Sequence, residues 1–209
     1  DLSEQVRREG TEGDWYRFSN ILVRDVAYAG LPYRLRRQLH QRAGAALEQS
    51  LANPVPYEAL STHFFEAGHY QKAAGYSRLA ADRARQSYSY LEALNLYQRA
   101  VTSARRADAP ARDLGDLYAA IGDVADLAGL TTEALAAYQR ARVSLRADQL
   151  ARSQVIAKEV SLHQRVGSFA TSLRVAGHAR RAVADVRSPA ADAVRARLAV
   201  QMAFVHHLQ

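Results

Sequence analysis

An all-α chain of stacked helical hairpins, entered through a short β-hairpin, is the expected fold on three grounds. Apolar residues recur at helical spacing through most of the sequence, between short breakers: GLP, NPVP, AGHY, SYSY, DAPARD, AGLTT, RVGSF and RSPA. One arrangement of small and aromatic residues returns four times. Strand signals are confined to residues 1–20.

Those first residues hold EQVRRE, the turn-rich GTEGD and the aromatic WYRFS, which read as two strands and their turn. From Asn20 onward the periodicity is helical, beginning with ILVRDVAYAG. The next helix carries Arg34, Arg36, Arg37, His40 and Arg42 on one side and Leu35, Leu39, Ala43, Ala46 and Leu47 on the other. Its basic residues are therefore expected on the wet face, paired with Asp25 or Glu48.

The recurring arrangement is plainest in GLTTEALAAYQRA, residues 129–141. Ala134 and Ala141 lie seven residues apart, almost two turns, so both fall on one face where a second helix can approach closely. Tyr138 follows Ala134 by one turn, and Gly129 precedes it by five residues. The same frame fits Gly68, Tyr70, Ala73, Tyr76 and Ala80, then Tyr90, Ala93, Tyr97 and Ala100, and more loosely Gly167, Phe169, Ser172 and Ala179. Upstream helices carry Tyr118, Ile121, Gly122 and Ala125, and Tyr57, Leu60, Ser61 and Phe64. This large–large–small–medium series followed by the small–aromatic–small frame resembles the tetratricopeptide repeat, most closely over 115–148 and less so over 57–83 and 152–185. The resemblance implies an α–α superhelix. The anchors Ala73, Ala93, Ala134 and Ser172 are 20, 41 and 38 residues apart. A spacing of 20 is too short for two helices and two turns, so residues 70–86 are expected to close one hairpin and open the next. The longer spacings place extended loops at ADAPARD and RADQLARS. Residues 190–208 read as the first helix of a hairpin whose second helix is missing, a truncated last repeat.

A second resemblance rests on Phe18, Leu22, Arg24, Asp25, Tyr28, Arg36, Arg37, Leu39 and His40. The segment from residue 5 to about 105 resembles the junction after the ATPase module of bacterial STAND-type regulators, including those fused to class III adenylate/guanylate cyclases. That resemblance implies that residues 1–50 are the end of a winged-helix segment with linking helices, and that 51–209 are tetratricopeptide-like repeats. The family has His where this chain has Asn20, at a position the resemblance would set against a nucleotide phosphate. Asn20 keeps a hydrogen-bond donor without the charge, and it equally reads as the N-cap of the following helix.

Composition narrows the function. The chain has 209 residues and a net charge of +7, yet only Lys72 and Lys158 are lysines and the arginines are scattered along most of the sequence. Such scatter suits a solvated basic surface, whereas a nucleic-acid footprint gathers on one face. A nucleic-acid-binding accessory region of a transcriptional regulator is the alternative. There is no cysteine, no apolar run of membrane-spanning length and no signal-peptide core, so a cytoplasmic setting is expected. The opening Asp1 and the helical close MAFVHHLQ suggest a piece of a longer protein. Catalytic, cofactor and metal sites are all expected to be absent: the seven histidines have no metal-like spacing, and no phosphate-loop motif occurs. The expected activity is protein interaction and signal relay. His63, Tyr118, Asp126 and Arg152 are the candidate residues of a concave groove for a peptide, a protein partner or the parent's own ATPase or cyclase domains.

Overall fold

The computed structural model describes residues 6–9, 15–18, 20–50 and 54–208. Strands β1 (Val6–Glu9) and β2 (Trp15–Phe18) pair antiparallel, with Val6 opposite Phe18. The GTEGD turn, at 10–14, and Asn53 of NPVP lie outside the described residues. Ten helices follow among those described: α1 (Ile21–Ala29), α2 (Tyr33–Gln49), α3 (Tyr57–Glu66), α4 (Tyr70–Gln86), α5 (Tyr90–Arg106), α6 (Ala111–Leu127), α7 (Thr131–Ser144), α8 (Gln149–Arg165), α9 (Phe169–Ala182) and α10 (Pro189–Leu208). From α2 onward each packs on the next in sequence, and α8 also meets α10. The fold is a helical repeat of packed hairpins.

The glycine that leads each frame is the end of the preceding helix. Gly129 has φ +76°, and beyond it the Leu130 amide donates to the Ala125 carbonyl at 2.8 Å, the wide bond of a left-handed helix cap. Gly68 and Gly167 close α3 and α8 in the same way. In the α4–α5 and α5–α6 turns, which lack a glycine, Tyr88 and Asp108 take the left-handed backbone instead, at φ 62° and 49°. The expected extended loops do not form. Pro110 immediately precedes α6, and the Asp148 side chain accepts from the Ala151 amide to start α8, so most of ADAPARD and RADQLARS is helix or cap.

One position pair, sixteen residues apart, recurs through the stack: Ser61 with Ser77, Ala81 with Tyr97, Gly122 with Tyr138, and Val160 with Ala176. All eight are buried. At the third pair a methyl on Gly122 would sit 2.4 Å from the Tyr138 ring, so only hydrogen fits there. The fourth inverts the sizes, a branched residue facing a methyl, and the first joins two hydroxyls at 2.5 Å. At least one small residue in each pair, rather than a fixed identity, lets the paired helices approach closely. Both tyrosines are anchored at the tip. The Tyr138 hydroxyl donates to Asp123 at 3.0 Å, and that of Tyr97 donates to Asp82. Burial, reinforced by those carboxylates, holds both phenols above their ordinary pKa. Helix α4 serves two hairpins, contributing Ser77 toward α3 and Ala81 toward α5.

The N-terminal helices are joined differently. Helix α1 buries no residue, and α2 buries only Gly44, where an added methyl would lie 3.2 Å from the Phe64 ring. That close approach rotates α2 away from its expected orientation. Arg36 and His40, expected in water, are half-buried, while Leu35 and Leu39 are exposed. The expected ion partners also differ: Asp25 pairs with its neighbour Arg24, and Glu48 with Lys72 of α4. Asn20 caps α1, its side chain accepting from the Leu22 amide at 2.8 Å.

Candidate protein-binding groove

Every second helix from α4 to α10 lines one of two adjoining recesses that share Arg78. Each offers residues at i, i+3, i+4 and i+7, one helical face: Gln71, Ala74, Gly75 and Arg78 on α4, Asp116, Ala119, Ala120 and Asp123 on α6, Ala151, Gln154, Val155 and Lys158 on α8, and Ala190, Ala193, Val194 and Arg197 on α10. The larger recess, about 560 Å³, runs from Arg78 to Arg197, and the smaller, about 310 Å³, lies between α4 and the α5–α6 turn, where Ala104, Ala107, Asp108 and Pro110 wall it. Mostly small side chains occupy the middle positions, leaving depth between the helices, and charged groups stand at the rims.

Helices α6 and α8 are laced across the groove by Asp123–Lys158 at 2.6 Å and beside it by Arg112–Asp148 at 2.6 Å and Asp126–Arg165. Between α8 and α10 the Gln201 amide donates to the Ala157 carbonyl and to Ser161, and Gln164 donates to the Gln201 carbonyl. Arg78, Asp116 and Arg197 make no ion pair among the described residues.

The four candidate residues do not converge on this groove. Tyr118 is buried in the α6–α7 core, with the guanidinium groups of Arg105 and Arg140 about its ring at 5.8 and 6.0 Å. Asp126 is taken up by Arg165. His63 lies at the α2–α3 junction, its Nδ1 2.9 Å from Nδ1 of His40. Burial and the adjacent His40 hold its pKa below the ordinary histidine value. Arg152 faces a separate cavity among α7, α8 and α9. Sequence reasoning missed the groove residues Arg78, Asp116, Asp123, Lys158 and Arg197, whose spacing alone does not set them apart from the packed face. On alternate helices they terminate or begin an i, i+3, i+4, i+7 face with mostly small residues between, although Val155 and Val194 on that face are also buried in the core.

Among the described residues no group of three or more His, Asp or Glu is placed to hold a metal ion, and no helix is long and apolar enough to cross a membrane. No protein-family model matches the chain, and no curated protein matches it. Among solved structures it is similar to the crystal structure of BtubC (BKLC) from P. vanneervenii, with 16% identity and a TM-score of 0.48 over 75% of this chain and 76% of that one.

Proposed function

We propose that this chain is a non-catalytic interaction and relay module that holds an extended segment of a protein partner in the concave groove. One observation carries the reading: α6, α8 and α10 present the same helical face to one trough with mostly small residues at its base, and Arg78 of α4 and Arg197 of α10 stand at its rims. Such a trough admits a peptide backbone, and the two arginines favour acidic side chains along it. The acid–base alternation of the rim, Asp116 and Asp123 beside Lys158, suits a protein partner better than a uniform phosphate backbone. The tetratricopeptide-like frame supports the same use. The resemblance of residues 16–42 to the STAND junction supports a partner within the same regulator, with residues 1–50 as the winged-helix end and the ATPase or cyclase domains as the groove's occupant.

A photo-crosslinking residue at Ala120, in the groove, compared with one at exposed Leu79 outside it, tests the reading in cells. A discrete crosslinked species from position 120, absent from position 79 and diminished by Arg78→Glu with Arg197→Glu, is expected. Identical patterns from both positions overturn it.

A further inference from the structure

We propose that the cavity between α7, α8 and α9 is a binding site for a phosphomonoester dianion, separate from the concave groove. The cavity has a volume of about 240 Å³ and is lined by Arg142 from α7, Arg152 from α8, and Arg174 and His178, one turn apart, from α9. Gln149 and Ser153 add polar atoms, and Ile156 supplies an apolar wall. Three helices thus bring three arginines and a histidine to the wall of one small space, with Arg174 and His178 exposed at its edge.

The charge there is only partly answered. Glu159, itself buried, accepts from Arg142 through both oxygens at 3.0 and 2.8 Å and lies 3.7 Å from His163. Arg152 and Arg174 have no carboxylate partner among the described residues. The Nε atoms of Arg142 and Arg152 are buried and without a hydrogen-bond partner. A guanidinium with a desolvated, unpaired N–H is costly unless an acceptor completes it. The uncommitted charge is that of Arg152 on α8 and Arg174 on α9, with His178 beside them, and an anion with several oxygens answers donors that come from two helices rather than from one plane. A carboxylate fits a single guanidinium fork, whereas a tetrahedral phosphate offers oxygens in several directions and carries nearly two charges. The available volume takes a phosphoryl group with a short substituent. Such a ligand would pin α9 to α7 and α8 on the side away from the groove, ordering the hairpin that precedes α10.

The test is an amide NMR titration of the whole chain with inorganic phosphate at constant ionic strength in chloride. A saturable response centred on Arg152, Arg174 and His178 is expected. Arg152→Gln and Arg174→Gln each weaken it by about tenfold or more, while Arg180→Gln, an exposed residue of the same helix, leaves it unchanged. Arg174 is also exposed, so its variant keeps the fold, and the melting curve checks this. A phosphoserine peptide and glycerol phosphate run in parallel separate a phosphorylated side chain from a small metabolite, tighter binding of either supporting the site. Absence of saturation, an equal response to acetate, or equal affinity in Arg152→Gln and Arg174→Gln overturns the assignment.

Discussion

The hairpins of α4–α7 and the seam of α1–α3 use the same chemical parts to different ends. In the hairpins, Tyr138 is joined to Asp123, which also receives Lys158 at 2.6 Å. Near the seam, Tyr76 donates to Glu48 at 2.6 Å, and Glu48 also receives Lys72 at 2.7 Å. The hairpin tyrosine is 1% exposed, with its ring against a glycine. The seam is held by groups that keep contact with water: the Tyr28–His40–His63 chain, and Arg37 reaching the Ala67 carbonyl at the end of α3. Volume complementarity makes the first region rigid under changes of salt and pH. Polar attachment leaves the second responsive to both.

Exchanging the sizes within the Gly122–Tyr138 pair is the severest challenge to the volume account. Tyr138→Ala is expected to cost about 3–5 kcal/mol, as for other large aromatics removed from a core. Gly122→Val alone overpacks the ring and costs at least about 1–3 kcal/mol. The double variant copies the arrangement already present at Val160 and Ala176, so its cost should fall at least about 1 kcal/mol below the sum of the two. Denaturant unfolding of the three variants measures this. Strict additivity would mean that the pair positions are not complementary.

The two tyrosine–carboxylate–lysine sets give a finer contrast. Asp123→Asn is expected to cost about 1 kcal/mol, since it weakens both a half-buried ion pair and the bond that fixes a buried phenol. Glu48→Gln should cost less than about 0.5 kcal/mol, because Lys72 is half exposed and salt screens the pair. Repeating both melts in high salt should shrink the difference only slightly, the hairpin set being better shielded. Equal costs at the two sites would remove the distinction between rigid stack and wet seam.

Much of the stack could be read before any coordinates, because burial of small and aromatic residues imposes a period that no other constraint erases. Ala134, Tyr138 and Ala141 are buried as the frame requires, and α4 lies between α3 and α5 as the spacing of 20 residues demanded. Orientation about the helix axis was less legible. On α2 the leucines and the arginines each form a plausible inner face, and the choice falls to Gly44, whose lack of a side chain admits Phe64. The groove was hidden for a related reason. In an alanine-rich helix both the packed face and the trough face are small, so periodicity alone cannot separate them. Of the candidate residues, Asp126 is spent in an ion pair and Arg152 faces a different cavity.

The gentlest probe touches the seam alone. His63 is held below the ordinary histidine pKa by burial and then by His40, so the unfolded chain takes up its proton first as the pH falls. The contribution is therefore complete above about pH 6.5 and is lost as the pH falls through the lowered value of the folded state. The geometry gives the cause. A bond between two Nδ1 atoms needs one of them bare, and protonating both rings turns the contact into a repulsion. Glu48, whose bonds from Lys72 and Tyr76 lower its pKa, gives up its share only below its ordinary value of 4.5, so the two effects separate along the pH axis. Melting temperatures between pH 7.5 and 5.5 should decline gently in the unmodified chain and less in His63→Gln. The Tyr138 and Gly122 variants should keep the unmodified slope, since they lie outside the seam. An undiminished slope in His63→Gln would assign the acid sensitivity to other groups and leave the histidine pair as packing only.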